Sequence, residues 1–173
     1  MTYATASQFV QQFGLIEAAQ LLADEQHLLT PELLSEAIKG EFSPERTPEE
    51  KDAAAAALAR MEKVLGDASR LMDGYFRGAV SLPLTQMQLD EAPVSACCLE
   101  LTRCGLMDDD GNLTETAEKR CKSWRDWLRD IATGKVKLVQ EQQAGSGGVI
   151  NGRMPSNYAW GRFNRFTGRR RPR

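Results

Sequence analysis

"TPEEKDAAAAALARMEKVLGDASRLMDGYF", residues 47–76, is the stretch that decides how this chain folds. Its first residues have the pattern of a helix start, since Thr47 and Glu50 can cap free backbone amides and Pro48 fits the first turn. Apolar side chains then recur at alternating steps of three and four residues: Leu58, Met61, Leu65, Ala68, Met72 and Phe76. That spacing places them on one helical face, so the stretch predicts a long central helix with one buried stripe.

Helix signals also lie on the amino-terminal side of this stretch. Thr5 with Gln8 forms a capping box, and the short helix that it opens is expected to end at Gly14. A second apolar run follows at residues 15–24, and Thr30 before a proline opens a third helix. The polar, proline-interrupted residues after that third helix predict an internal loop.

Carboxyl-terminal to the central helix, two more helices are expected. A helical stripe begins near Pro93 and is predicted to end at Gly105, and Asn112 with Glu115 can cap a last helix that ends near Gly134. Strand-like alternation is confined to short runs. The predicted fold class is therefore all-α, a small helical bundle of about five helices with a long extended C-terminal arm.

The bundle needs a core, and the largest apolar side chains on the predicted helix faces supply it. Trp124 and Trp127, three residues apart on the last helix, are interpreted as core anchors, with a stacking platform for nucleic-acid bases as the alternative. The predicted core residues are Leu65, Met72, Phe76, Trp124, Trp127, Leu128 and Ile131.

Composition divides the chain into three regions. Residues 1–140 form the helical domain, in which residues 40–52 are interpreted as an insertion. Residues 141–152 are rich in Gly and Ser and predict a flexible linker. Residues 153–173 form a basic, aromatic arm.

Charge is divided unevenly between these regions. The formal net charge is −2, but residues 151–173 contain seven Arg and no acid, so the other 150 residues hold 15 bases against 24 acids, or −9. An acidic body with a basic tail indicates a polyanionic or acidic partner for the tail.

The arm also carries four of the twelve aromatic residues of the chain. Disordered tails are usually poor in aromatic residues, whereas Trp, Tyr and Arg are frequent at the energetic centres of protein interfaces. We therefore predict an arm that docks in a groove of a protein partner, with nucleic-acid contact or an unstructured solubilising tail as the alternatives. The predicted partner-binding residues are Arg153, Tyr158, Trp160, Arg162, Phe163, Arg165, Phe166, Arg169, Arg170 and Arg171.

Catalytic, cofactor and metal signals are weak throughout. The four cysteines form no CxxC pair and lie far from the only histidine, His27, so buried free thiols and a surface histidine are expected. "DDDGN", residues 108–112, is interpreted as a turn, because Lys119 occupies the position where a calcium loop needs its closing carboxylate. We expect no enzymatic activity, no cofactor and no metal.

No apolar run reaches the roughly eighteen residues needed to cross a bilayer, and "MTYATASQFV" lacks the features of a signal peptide. The protein is therefore expected to stay in the cytoplasm where it is made and to have no membrane partner.

Three stretches together resemble the head–tail connector (adaptor) family of Mu-like phages and prophages, small virion proteins of long-tailed phages. They are "YATASQFVQQFG" at residues 3–14, "DASRLMDGYFRGAVSLPL" at 67–84 and "WRDWLRDIATGKVKL" at 124–138. The resemblance lies in their order and spacing. The stretch at 40–52 and the arm beyond Leu138 depart from the family pattern as an insertion and an extension.

This resemblance implies an α-helical protomer that forms a homo-oligomeric, dodecameric ring under the portal protein. Such a ring continues the DNA channel, through which DNA passes without sequence-specific binding, and offers a surface to tail or head-completion proteins. The implied location is the head–tail interface of the virion, with the C-terminal arm on the portal. The alternative is a helical DNA-binding protein of phage packaging or regulation that uses the arginine-rich arm.

Overall fold

A computed structural model of the chain describes residues 2–23, 27–109 and 114–138. These residues contain seven helices and no strand, which confirms the all-α prediction for them; the sequence had indicated about five helices. In chain order the helices are α1 (Ala6–Phe13), α2 (Leu15–Leu21), α3 (Pro31–Lys39), α4 (Pro48–Phe76), α5 (Gln86–Glu91), α6 (Val94–Asp109) and α7 (Glu115–Ala132).

The predicted central helix is α4, and it begins where the sequence indicated. The Thr47 Oγ1 accepts a hydrogen bond from the Glu50 N–H at 3.3 Å, and the Glu50 carboxylate accepts one from the Thr47 N–H at 2.8 Å. The predicted stripe faces the core, with Leu58 partly buried at its edge. The buried α4 residues are Ala54, Ala57, Met61, Leu65, Ala68, Ser69, Met72 and Phe76.

The other helices of the bundle pack around α4, which touches α6, α3, α7 and α1. Along α6, Cys98 lies beside Ser69, whereas Gly105 lies beside Val64, so α6 runs antiparallel to α4. A smaller apolar cluster of Leu33, Ala37 and Ala54 joins α3 to the first turns of α4. The long helix therefore connects two apolar cores.

The amino-terminal helices begin and end as expected. Thr5 and Gln8 form the capping box of α1, and Gly14, with φ of 90°, ends it. The Thr30 hydroxyl accepts from the Leu33 N–H at 3.2 Å and caps α3. Both helix starts were predictable because a capping side chain and the amide that it binds lie within one turn in sequence.

Three predictions about helix boundaries were wrong or incomplete. Gly105 does not end α6, which continues to Asp109. The cap of α7 is Thr114, whose hydroxyl accepts from the Ala117 N–H at 3.3 Å; Asn112, the predicted cap, lies outside the described residues. The short helix α5 was missed, although Thr85 and Gln88 form a capping box at its start.

Residues 40–47, the larger part of the predicted insertion, form a loop held by one carboxylate. Glu36 on α3 accepts two hydrogen bonds from Arg46, at 3.1 and 3.2 Å, and one from the Ser43 N–H at 3.2 Å. Arg46 also lies 3.6 Å from the carboxylate of Glu50 on α4. These bonds lower the pKa of Glu36, with the Arg46 hydrogen bond as the largest cause.

Candidate interaction site

The predicted linker and docking arm, residues 141–173, lie outside the described residues, which end at the buried Leu138. The structure describes the helical body to which the arm is attached. Among the described residues, its surface includes an apolar groove, and polar contacts of Tyr3, Glu36 and Arg103 join neighbouring helices and loops.

The groove lies where α1 turns into α2, beside the last turns of α6, and has a volume of roughly 660 Å³. Its apolar walls are Phe13, Leu15, Ile16, Leu21 and Met107. Ile16 is 67% exposed, the largest exposure among the large apolar side chains described. A groove with apolar walls and an exposed aliphatic rim is the kind of surface that receives an apolar side chain of a partner.

Arg103 is one of the polar residues that line this groove. Its Nε lies 2.5 Å from the Glu17 carboxylate on α2, and its guanidinium stands over the Phe13 ring, 4.9 Å from the centroid. The side chain is only 19% exposed. Arg103 therefore ties α6 to the α1–α2 corner, and its charge is already balanced by Glu17.

The amino terminus is held against α4 by Tyr3, which lies in the first stretch of the family resemblance. The Tyr3 N–H donates to the Ser69 Oγ at 3.1 Å, and the phenol donates to the Asp73 carboxylate. The ring packs edge-on against Phe76, with the centroids 6.0 Å apart. Burial, followed by the Asp73 contact, raises the pKa of Tyr3, so the phenol stays a donor.

The prediction of four free thiols is wrong for two of them. Cys97 and Cys98 are buried and free, but Cys104 on α6 and Cys121 on α7 form a disulfide, with their Cα atoms 6.1 Å apart. Spacing motifs could not show this pair, because it depends on which faces of two consecutive helices meet. The available signal was that both cysteines lie on the apolar stripes of neighbouring helices.

The two predicted tryptophan anchors lie at the edge of the core. Trp124 and Trp127 are partly buried and contact each other edge to face, with centroids 5.7 Å apart. Such a T-shaped pair uses one ring face against the other ring, which leaves less area for stacked bases. The remaining predicted core residues, Leu65, Met72, Phe76, Leu128 and Ile131, are at most 2% exposed.

Within the described ranges, no group of three or more potential metal ligands comes together. His27 is exposed and has a left-handed backbone conformation, with φ of 53°. None of the helices described there is long and apolar enough to cross a membrane.

A family model described as "Bacteriophage Mu, Gp36" matches residues 3–149. The chain belongs to the bacteriophage Mu Gp36 family. The match spans all seven helices and the three stretches of the resemblance, so the Mu-like phage origin expected from the sequence is confirmed. No curated protein matches the chain. For this Gp36-family protein, the head–tail connector role stays a prediction.

Proposed function

We propose that this Gp36-family protein is a structural virion protein, a head–tail connector that forms a ring under the portal and extends the DNA channel. The observation that carries the proposal is the ordered set of three connector-like stretches, which lies wholly inside the region matched by the Gp36 family. The proposed ring is dodecameric, and its outer end receives tail or head-completion proteins.

The described body has the features of a rigid subunit. The 29 residues of α4 make a rod of about 44 Å at 1.5 Å per residue. Four other helices pack on that rod, and the Tyr3, Glu36 and Arg103 contacts fix its neighbours at separate points. A subunit that keeps its shape offers the same surface to each neighbour, which closed rings require.

The acidic body supports a channel along which DNA slides without sticking. Glu41, Glu45, Glu49 and Asp52 are exposed at the α3–α4 end, and their carboxylates have no partner among the described residues. Fixed negative charge repels phosphate, so an acidic lumen lowers friction with passing DNA. A structure of the ring tests this idea, and a lumen lined mainly by Lys and Arg would contradict it.

In this proposal the arm attaches the connector to the portal. Its seven Arg suit carboxylates on the portal, and its four rings suit an apolar groove there. Attachment through several copies of the arm strengthens binding beyond that of one arm.

The test is capture of the full-length protein on immobilised portal. Trp160→Ala and Phe163→Ala are expected to abolish capture at moderate salt, whereas Asn164→Ala, in the same stretch, leaves it intact. Equal capture of all these variants would reject the docking arm.

The second candidate is a DNA-binding protein of packaging or regulation, favoured by the seven Arg of the arm and its lack of acids. Each neutralised phosphate adds roughly 0.9 to the slope of log affinity against log salt. Steep salt dependence with DNA, together with indifference to Phe163→Ala, would favour this candidate over portal docking.

A further inference from the structure

The amino-terminal half of α7 has one buried anchor. From Glu115 to Ser123, Ala117 is half-buried and Cys121 is 4% exposed, while the other side chains are exposed. The next buried residue of the helix is Leu128, seven positions beyond Cys121. A helical segment with so little buried area depends on that anchor to stay docked.

The anchor is covalent. Cys121 is bonded to Cys104, which is 6% exposed on α6. A polar contact between this half of α7 and α6 is the 3.7 Å ion pair between Arg120 and Glu100, whose side chains are 47% and 13% exposed. A partly exposed ion pair of that length adds little to stability, whereas the disulfide ties this half of α7 to α6 covalently.

We propose that the Cys104–Cys121 disulfide is a redox latch that decides whether the amino-terminal half of α7 stays docked on α6. In reduction, a thiolate of a dithiol reagent attacks one sulfur, the S–S bond breaks, and a mixed disulfide forms. The second thiolate of the reagent displaces the protein sulfur, so two cysteine thiols remain and the reagent becomes a disulfide. A small disulfide such as oxidised glutathione reverses this exchange and takes up the two electrons.

The other two cysteines do not take part in the latch. Cys97 and Cys98 are adjacent on α6, and both are fully buried. Cys98 contacts the Ser69 Oγ at 3.4 Å, which holds it toward α4 rather than α7. Burial raises the pKa of Cys97 to about 12 and also raises that of Cys98, so neither supplies the thiolate that exchange needs.

Reduction acts locally because the crosslink closes a short loop. The two cysteines are 17 residues apart, so cutting the bond frees α7 to separate from α6 near its first turns. Leu128 and Ile131 keep the second half of α7 in the core. The latch goes beyond the proposed connector role, and its test does not depend on that role.

The test is amide hydrogen exchange of the full-length protein in oxidised form and after treatment with a phosphine reductant, which also cleaves the disulfide. Reduction is expected to speed exchange across residues 115–123 by roughly tenfold or more, and by a larger factor than in α4. Oxidised glutathione restores slow exchange. Cys97→Ala retains the whole response, and the double variant Cys104→Ser, Cys121→Ser exchanges fast with or without reductant.

The wild-type comparison alone decides the outcome if the double variant does not fold. Equal exchange in both redox states, or a rise spread evenly over α4 and α7, would overturn the latch. Alkylation of both Cys104 and Cys121 in the protein before reduction would overturn it as well.

Discussion

At the residue scale, Tyr3 shows how one side chain can fix the end of a chain. Its backbone amide and its phenol reach Ser69 and Asp73, two positions about one turn apart on α4, while its ring contacts Phe76. Removing the Tyr3 hydroxyl leaves the partly buried Asp73 carboxylate without its hydrogen-bond donor. The Tyr3 contacts therefore hold α1 against the central helix.

Tyr3→Phe is expected to lower the free energy of unfolding by about 1–2 kcal/mol, because a hydrogen bond to a charged group is lost. Urea denaturation of the full-length protein measures this change. Tyr75→Phe is the matched control, since Tyr75 is a partly buried α4 residue whose hydroxyl has no partner among the described residues. An equal effect of both substitutions would show that the Asp73 contact does not matter.

Cys97 makes the free energy of unfolding depend on pH in the alkaline range. Burial raises its pKa from an ordinary value of 9.0 to about 12, so the thiol stays protonated in the folded state while the unfolded chain ionises. The unfolded state then binds fewer protons, and stability falls as pH rises from about 9 toward 12, at up to about 1.4 kcal/mol per pH unit. Cys97→Ala is expected to flatten this slope in pH-dependent urea denaturation. An unchanged slope in the variant would assign the effect to other groups.

Residue roles were predictable where they depend on sequence neighbours. The caps Thr5, Thr30 and Thr47 follow from residue types within one turn. The Cys104–Cys121 bond and the Tyr3–Asp73 contact join positions far apart in sequence, and a single sequence carries no pattern for such pairs.

At the element scale, Gly105 lies in the middle of α6 because α6 and α4 approach closely there. A Cβ at Gly105 would lie 3.0 Å from Cγ1 of Val64, whereas a Cβ at Gly66 on α4 would meet nothing within 4 Å. A glycine at the end of an apolar stripe usually indicates a helix end, and here helix packing explains it instead.

Gly66→Ala is expected to stabilise the protein by about 0.5–1 kcal/mol through helix propensity, whereas Gly105→Ala gains nothing because Val64 must move. Thermal denaturation of both variants measures the difference. In a Val64→Ala background the crowding is relieved, and Gly105→Ala becomes stabilising. Stabilisation by Gly105→Ala in the wild-type background would contradict close packing at this site.

The loop at residues 40–47 is expected to lose its order when Glu36 loses its charge. Glu36→Gln removes the carboxylate that Arg46 and the Ser43 N–H share, so proteolysis within the loop becomes faster. Glu45→Gln, an exposed change in the same loop, is the control.

The order of the same loop is expected to decrease at acidic pH. The pKa of Glu36 is lowered, so its contribution is present above its ordinary pKa of 4.5 and is lost as pH falls through the folded value. Equal rates of cleavage within the loop in Glu36→Gln and Glu45→Gln would contradict the role of the Glu36 carboxylate in ordering it.

Long helices were predicted well and short ones poorly. The apolar stripe of α4 repeats over five turns, and a repeat of that length indicates a helix without any knowledge of its tertiary contacts. None of the six residues of α5 is fully buried, although Leu89 packs partly buried against the core, so the apolar stripe is too short to recognise. The capping box was the remaining signal. The extension of α6 beyond Gly105 depends on its neighbour α4.

At the scale of the whole molecule, the helical body and the Mu Gp36 family follow from the sequence, the structure and the family match. The arm that carries all ten predicted partner-binding residues lies outside the described residues. A ring and a portal site are properties of an assembly, and the fold of one chain does not determine them. They depend on surfaces that become buried after association.

Electron microscopy of the full-length protein mixed with the portal of its own phage tests the connector role most directly. The account predicts a rotationally symmetric, dodecameric ring stacked on the portal, with the arm residues Trp160 and Phe163 buried against the portal surface. Free portals beside a protein that stays monomeric, or a ring whose arms never touch the portal, would contradict it.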